Sequence, residues 1–301
     1  MDGLIFLEDL KAGSTDLATK IAKLGYYDTP LFNMIQKAMP DKKTKSAFGH
    51  EWYYEDGIDA DVSNAHIEGS NPATPTHGTL GQSKNHYQII KHTYGITGSM
   101  EDKTDIEGSN ELKNEGVRKA KQHRKTIEKI LFGKDAPIQR NKDISAGQMA
   151  GLRHWCTIQN TVDIGGDLTI QMLRDMFKIG YYQSMPTTHI FLSDKQKDRL
   201  DDIMADKHRG SLGQTILQDT NYTQLDNFAY APKVKVILTP YVDEDEIIGI
   251  NAPSLALVYQ RLTKSYDIAR TKDAIEKELI SELTLRVNNP YAVTRISKLT
   301  K

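Results

Sequence analysis

The sequence predicts an α+β protein in which strand-rich segments surround one long helix. Three observations carry this. Residues 104–133 keep helical spacing of apolar positions far longer than any other segment. Residues 47–56 and 84–98 are rich in Trp, Tyr, Ile and Thr, the composition of strands. Helical and strand patterns then intermingle without a regular strand–helix–strand alternation, so a doubly wound parallel sheet is not expected.

Taken in order, residues 1–45 read as an arm with short helices. In "STDLATKIAKLG", Ser14 is an N-cap candidate, Leu17, Ile21 and Leu24 share a face, and Gly25 stops the helix. "YYDTPLFNMIQKAMP" restarts at Asp28 or Thr29, with Pro30 at the first helical position and Pro40 as terminator. Such short helices do not stand alone and need a surface to pack on. The aromatic run 47–56 and the run 84–98 predict a hairpin with mixed faces, Tyr87, Ile89, Lys91 and Thr93 on one side and Gln88, Ile90, His92 and Tyr94 on the other. Between them, residues 58–83 are polar and carry Gly69, Pro72, Pro75, Gly78 and Gly81. That stretch has too few apolar side chains to bury itself, and a two-stranded ribbon is marginal in water.

The long helix has capping signals at Thr104 with Glu107, and at Ser109 and Asn110. Leu112, Gly116, Ala120, Ile127 and Leu131 form a narrow apolar stripe opposite the basic run "RKAKQHRK", and Gly133 ends it. At about 1.5 Å per residue it spans roughly 35 to 40 Å. Residues 134–167 read as loop, 168–182 as a helix with Leu168, Met172, Met176 and Ile179 on one face, and 188–193 as a strand. A helix capped by Ser193 follows, then a second polar loop at 205–230, strands at "KVKVILTPYV" and "SLALVYQ", and two closing strands around the turn "NNP".

The bulk numbers exclude several classes. The chain of 301 residues is 38% hydrophobic and 26% charged, which places it among globular proteins. Lys and Arg number 39 against 40 acids, a formal net charge of -1, so there is no global attraction to nucleic acid or membrane. With Cys156 as its single cysteine, no disulfide forms within the chain. The start "MDGLIFLEDLKAG" lacks the basic and long apolar regions of a secretory signal, so synthesis and folding in the cytoplasm are expected. No apolar run is long enough to span a bilayer.

Catalytic chemistry finds little support. Asp59 with Asp61, and the acidic run at 243–246, read as solvated loops rather than cation sites. His154 beside Cys156 has no identifiable orienting group, as a nucleophilic pair requires. The glycine turns at 163–169 and 210–215 match no phosphate-binding fingerprint. No enzyme activity, cofactor or metal is expected. An enzyme with a loop-built site near His154, Asp163 and His189 is one alternative.

The ordered set "YYDTPLFNMI", "HEWYYED", "AHIEGSNP", "HYQIIKHTYGITGS" and "NNPYAVTRISKLT" resembles one subgroup of major capsid proteins of tailed bacteriophages. The resemblance implies an N-terminal arm at 1–45, an extended loop at 46–100, a peripheral domain at 101–149 and 266–301 with the spine helix, and an axial domain at 150–265. Some relatives carry a cleaved scaffolding segment ahead of the arm; none is expected before Met1 here. It further implies a structural shell protein that forms hexamers and pentamers of itself in an icosahedral capsid, assembled in the bacterial host cytoplasm. Portal, scaffold or cement proteins and packaged double-stranded DNA would be the other partners; the second alternative is another virion part, a tail or baseplate protein. On this reading the polar ribbon lies over an adjacent subunit. Trp52, Tyr53, Tyr54, His66, Glu68, His77 and Lys84 are its interface candidates, and Arg118, Lys121, Arg124 and Lys125 are candidates to face DNA.

Overall fold

A computed structural model of the chain describes residues 4–5, 28–39, 48–55, 64–72, 78–100, 110–142, 144–212 and 223–300. The expected helix at 14–25, the cap at Thr104, the pair Asp59 and Asp61, and His77 lie outside them. In chain order the first elements are β1 (Leu4–Ile5), α1 (Pro30–Met34), β2 (Gln36–Ala38), β3 (Gly49–Glu55), β4 (Leu80–His86) and β5 (Gln88–Thr97). Then come α2 (Glu111–Leu131), α3 (Leu152–Trp155), β6 (Thr161–Val162), α4 (Ile170–Tyr182), β7 (His189–Leu192) and α5 (Asp194–Leu212). The chain closes with β8 (Gln224–Phe228), β9 (Ala231–Leu238), β10 (Ile247–Ile250), β11 (Leu255–Asp267), β12 (Ala274–Val287) and β13 (Val293–Ile296). These elements fall into two compact units.

The first unit comprises residues 1–48, 86–155 and 256–285. Its five-stranded sheet has the order β1-β5-β12-β11-β2, with β5 and β12 antiparallel from Gln88↔Leu283 to Thr97↔Ala274. So 84–98 is not one arm of the hairpin, as the sequence suggested. The chain breaks at Tyr87, and only Leu80–His86 pairs with Gly49–Glu55. The mixed faces of β5 hid a core strand because its polar inner residues are satisfied. Gln88 Oε1 accepts from the Met149 N–H at 3.2 Å, and His92 meets His123.

Helix α2 lies on β5, starting where the Asn110 side chain accepts from Lys113 N–H. Its 21 residues make it about 31 Å long, shorter than expected. Ile127 and Leu131 are fully buried as the stripe predicts, but Glu111, His123 and Glu128 are buried as well. Gly116 is a slot: a Cβ there would sit 3.2 Å from the Tyr94 hydroxyl oxygen. Helix α1 begins at Pro30 as expected but runs only five residues before β2 continues the chain along β11. Glu128 holds it, accepting from Leu31 N–H at 2.9 Å and Phe32 N–H at 2.7 Å. This carboxylate takes the backbone donors that open any helix.

The second unit comprises residues 49–85, 156–255 and 286–301. Its mixed six-stranded sheet has the order β6-β13-β10-β7-β9-β8. Helix α4, capped by the Thr169 hydroxyl, buries Met172, Leu173, Met176 and Phe177 in one cluster with Ile190, Leu192, Val234 and Ile247. Phe177 meets Phe228 edge-on at 5.2 Å. Helix α5 follows Ser193 as predicted, yet the Ser193 hydroxyl is buried without a hydrogen-bond partner, and Asp194 Oδ1 accepts from Lys195 N–H instead. The helix also continues to Leu212, into the stretch expected to be loop. Strand β10 went unread because "IIGI" is too short to show alternation; it is buried on both faces. The sequence expectation grouped 266–301 together, whereas strand pairing divides this stretch at Leu285, with β13 joined to β10.

Candidate assembly surfaces

Among the described residues, strands β3 and β4 pair only with each other, as a two-stranded ribbon. Period-two geometry puts His50, Trp52 and Tyr54 on one face and Glu51, Tyr53 and Glu55 on the other. Trp52 is 7% exposed and stacks on His50 at 5.9 Å. Its side chain is therefore buried in its own chain and is not an exposed interface anchor. Burial and the Arg286 charge hold His50 below its ordinary value. Tyr54 lies over Gly81, where a Cβ would come within 2.3 Å of the ring, so the glycine is what lets the tyrosine cover the ribbon. On the opposite face Lys84 pairs with Glu51 at 2.7 Å, beside a Tyr53 that is 66% exposed.

The described part of the ribbon's far end, 64–72, is exposed at every residue. His66 Nε2 and Asn64 Oδ1 are 2.7 Å apart. Ser70 N–H donates to the Ile67 carbonyl at 3.0 Å, and Gly69 has φ +79°. That geometry is a tight turn with glycine at the one position needing positive φ. It presents Ile67, 85% exposed, and the exposed Glu68.

The ribbon's root belongs to the first unit. The Phe48 carbonyl accepts from Tyr87 N–H at 3.3 Å. Phe48, Tyr87 and Ile89 line a cleft of about 370 Å³ with the 140–147 loop, including Arg140, Lys142 and Ala146. Arg140 fixes that loop: it pairs with the buried Glu282 at 2.7 Å and lies 5.8 Å from the Phe48 ring. Arg261 also reaches Glu282, at 3.4 Å. Burial and the Glu282 charge push the Tyr87 hydroxyl up to about 12. Sequence reasoning missed this cleft because its walls come from segments roughly fifty residues apart in the chain.

On α2, Arg118 and Arg124 are exposed, and Lys121 and Lys125 are half-buried. Arg118 is committed to Glu111 and Glu115 at 2.9 and 3.2 Å, so its charge is largely matched. Arg124 is near enough to Tyr259 to influence its hydroxyl, which burial raises. The residues of the enzymatic alternative have structural partners. Lys298 and Ser297 bind Asp163, at 2.7 and 3.0 Å, and hold its carboxyl below the usual range. Thr188 meets His189 Nδ1 at 2.9 Å. His154 stacks edge-on against Trp155. Cys156 is half-buried. Among the described residues no three His, Cys, Asp or Glu side chains cluster to hold a metal. None of the described helices is long and apolar enough to cross a membrane.

Residues 6–300 match the family described as SU10 major capsid protein. The chain belongs to this family. A search of curated protein sequences finds no match. The fold of this capsid protein is that of solved tailed-phage capsids. It is similar to the capsid of a native GTA particle, with 10% identity, TM-score 0.64 and 98% of each chain covered. The cyanophage A-1(L) capsid matches at 15% identity, TM-score 0.62 and the same coverage. Microbacterium phage Oxtober96 matches at 11% identity and TM-score 0.63, covering 95% of this chain and 96% of its own. The capsid protein is thus a structural shell component, and its family and fold imply a non-enzymatic role.

Proposed function

We propose that copies of this capsid protein close into hexamers and pentamers, and that these rings tile an icosahedral shell around packaged double-stranded DNA. The arm is residues 1–45, and pairing of β5 with β12 supports ending the extended loop, expected at 46–100, at His86. The peripheral domain is built on α2 and the axial domain on the six-stranded sheet. The expected boundaries were 101–149 with 266–301, and 150–265. Pairing of β13 with β10 supports giving 286–301 to the axial domain. Assembly takes place in the host cytoplasm, with portal, scaffold or cement proteins as further partners. Arg118, Lys121, Arg124 and Lys125 are the candidates to supply positive charge toward DNA, with two glutamates partly matching Arg118.

The observation that carries this is the ribbon. Its described far end is exposed throughout, with Ile67 at 85% and Leu80 at 67%. A two-stranded ribbon with an exposed end has little to stabilise it alone. Contact with a neighbouring copy would bury those side chains, and many modest contacts per subunit would add through avidity. Tyr53, His66, Glu68 and Lys84 stay interface candidates, and His77 with them by sequence. The test replaces residues 56–79 with a two-residue Asn-Gly turn. The expected result is a folded subunit by circular dichroism that forms no closed particles under the electron microscope. Normal shells from this variant would refute the proposal.

A further inference from the structure

We infer that the cleft at the ribbon root receives the Ile67–Ser70 turn of a second copy, so that the tip of each ribbon seats in the root of the next. This deepens the proposed function and rests on it. The turn is a preformed knob. The Ser70-to-Ile67 backbone bond and the positive φ of Gly69 fix its shape, and it offers one apolar and one acidic side chain side by side. The cleft offers the complement. Its apolar wall is Phe48, 47% exposed, and Ile89, 40% exposed, with Ile144, 83% exposed, on the adjoining rim. Exposed Lys142 stands beside that wall. Ile67 fits the apolar wall and Glu68 fits Lys142. Asp143, the next residue, lies outside the described residues. Arg140 shapes the cleft rather than pairing with the knob, because Glu282 already engages it.

The arrangement has a topological consequence. Strand β3 alone is seven residues, about 23 Å, long. A tip-to-root contact is head-to-tail, so it repeats identically from copy to copy and closes into a ring when the rotation allows. Every copy then uses one knob and one cleft.

The test uses full-length protein in a Cys156→Ser background. Ile67→Cys is combined with Ala146→Cys in the cleft, and assembled particles are oxidised and run on a non-reducing gel. The expected result is a ladder of covalent multimers. Neither single cysteine gives a ladder, nor does Ile67→Cys with a cysteine at the exposed Ile158. A second measurement covers loss of assembly by the cysteine variants. Glu68→Lys lowers particle yield about tenfold, and adding Lys142→Glu restores it. Wild-type shells with neither the ladder nor the charge-swap rescue overturn this assignment while leaving the proposed function standing. Wild-type protein that never assembles overturns both.

Discussion

Helix α2 buries two ionisable side chains whose responses to pH oppose each other, and separating them is a demanding test of how the helix is held. Glu128 is 0% exposed and His123 is 1% exposed. Burial, with the Asp28 charge adding to it, pushes the Glu128 carboxyl from 4.5 up to about 7, against the two backbone donors that favour its ionised form. Burial, then the neighbouring His92, holds His123 from 6.5 down to about 4. The two signs follow separately. With a raised folded value, Glu128 contributes most below 4.5, and that contribution is lost as pH climbs through 7. With a depressed folded value, His123 contributes fully above 6.5 and loses its contribution as pH falls through 4.

Between pH 4.5 and 6.5 the two therefore nearly cancel in the natural protein, each changing stability by about 1.4 kcal/mol per pH unit. Replacing one exposes the other. Glu128→Gln leaves stability falling on acidification, by about 2 to 3 kcal/mol across the window. His123→Gln leaves it rising by a similar amount, reduced by His92, whose value is also depressed. Each variant carries a fixed offset of about 1 to 3 kcal/mol. Glutamine has one acceptor for the two N–H groups at Leu31 and Phe32, and the Ser281 hydroxyl loses its 2.6 Å contact with His123 Nε2. Urea unfolding of dissociated subunits at several pH values reads both slopes. Two variants with the same slope as the natural protein would refute the reasoning.

Two further substitutions probe other joints. Asn160 is buried, and its amide donates to the Pro290 and Val293 carbonyls at 3.0 and 2.8 Å, pinning the turn before β13. Asn160→Ala is expected to cost about 2 to 4 kcal/mol by urea unfolding, with secondary structure retained. At Gly151 a Cβ would lie 2.5 Å from the Ile130 carbonyl and 2.6 Å from that of Gly133. Gly151→Ala is expected to lower the melting temperature sharply or block soluble expression, because backbone rather than a flexible side chain must yield.

The sequence disclosed what depends on local chemistry. Pro30 and Asn110 mark helix starts because each supplies a fixed φ or an acceptor within its own turn. The ribbon announced itself through residues that cannot bury themselves. What stayed hidden is long-range. Polar side chains on β5 read as surface until His123 and Met149 are seen to satisfy them. Trp52 looked like an interface anchor because composition does not tell burial in one's own chain from burial in a neighbour's. Glu128 and His123 fall within the spacing of the apolar stripe, and that position was the available signal of their burial. The root cleft left no signal, since Phe48 and Lys142 meet only through the fold.

The most direct test of the central claim is electron cryo-microscopy of particles assembled from the purified, unaltered chain. Closed shells in which each ribbon crosses onto an adjoining subunit, with Ile67 covered, are expected. A stable monomer, or shells whose ribbons fold back onto their own subunit, would contradict that claim.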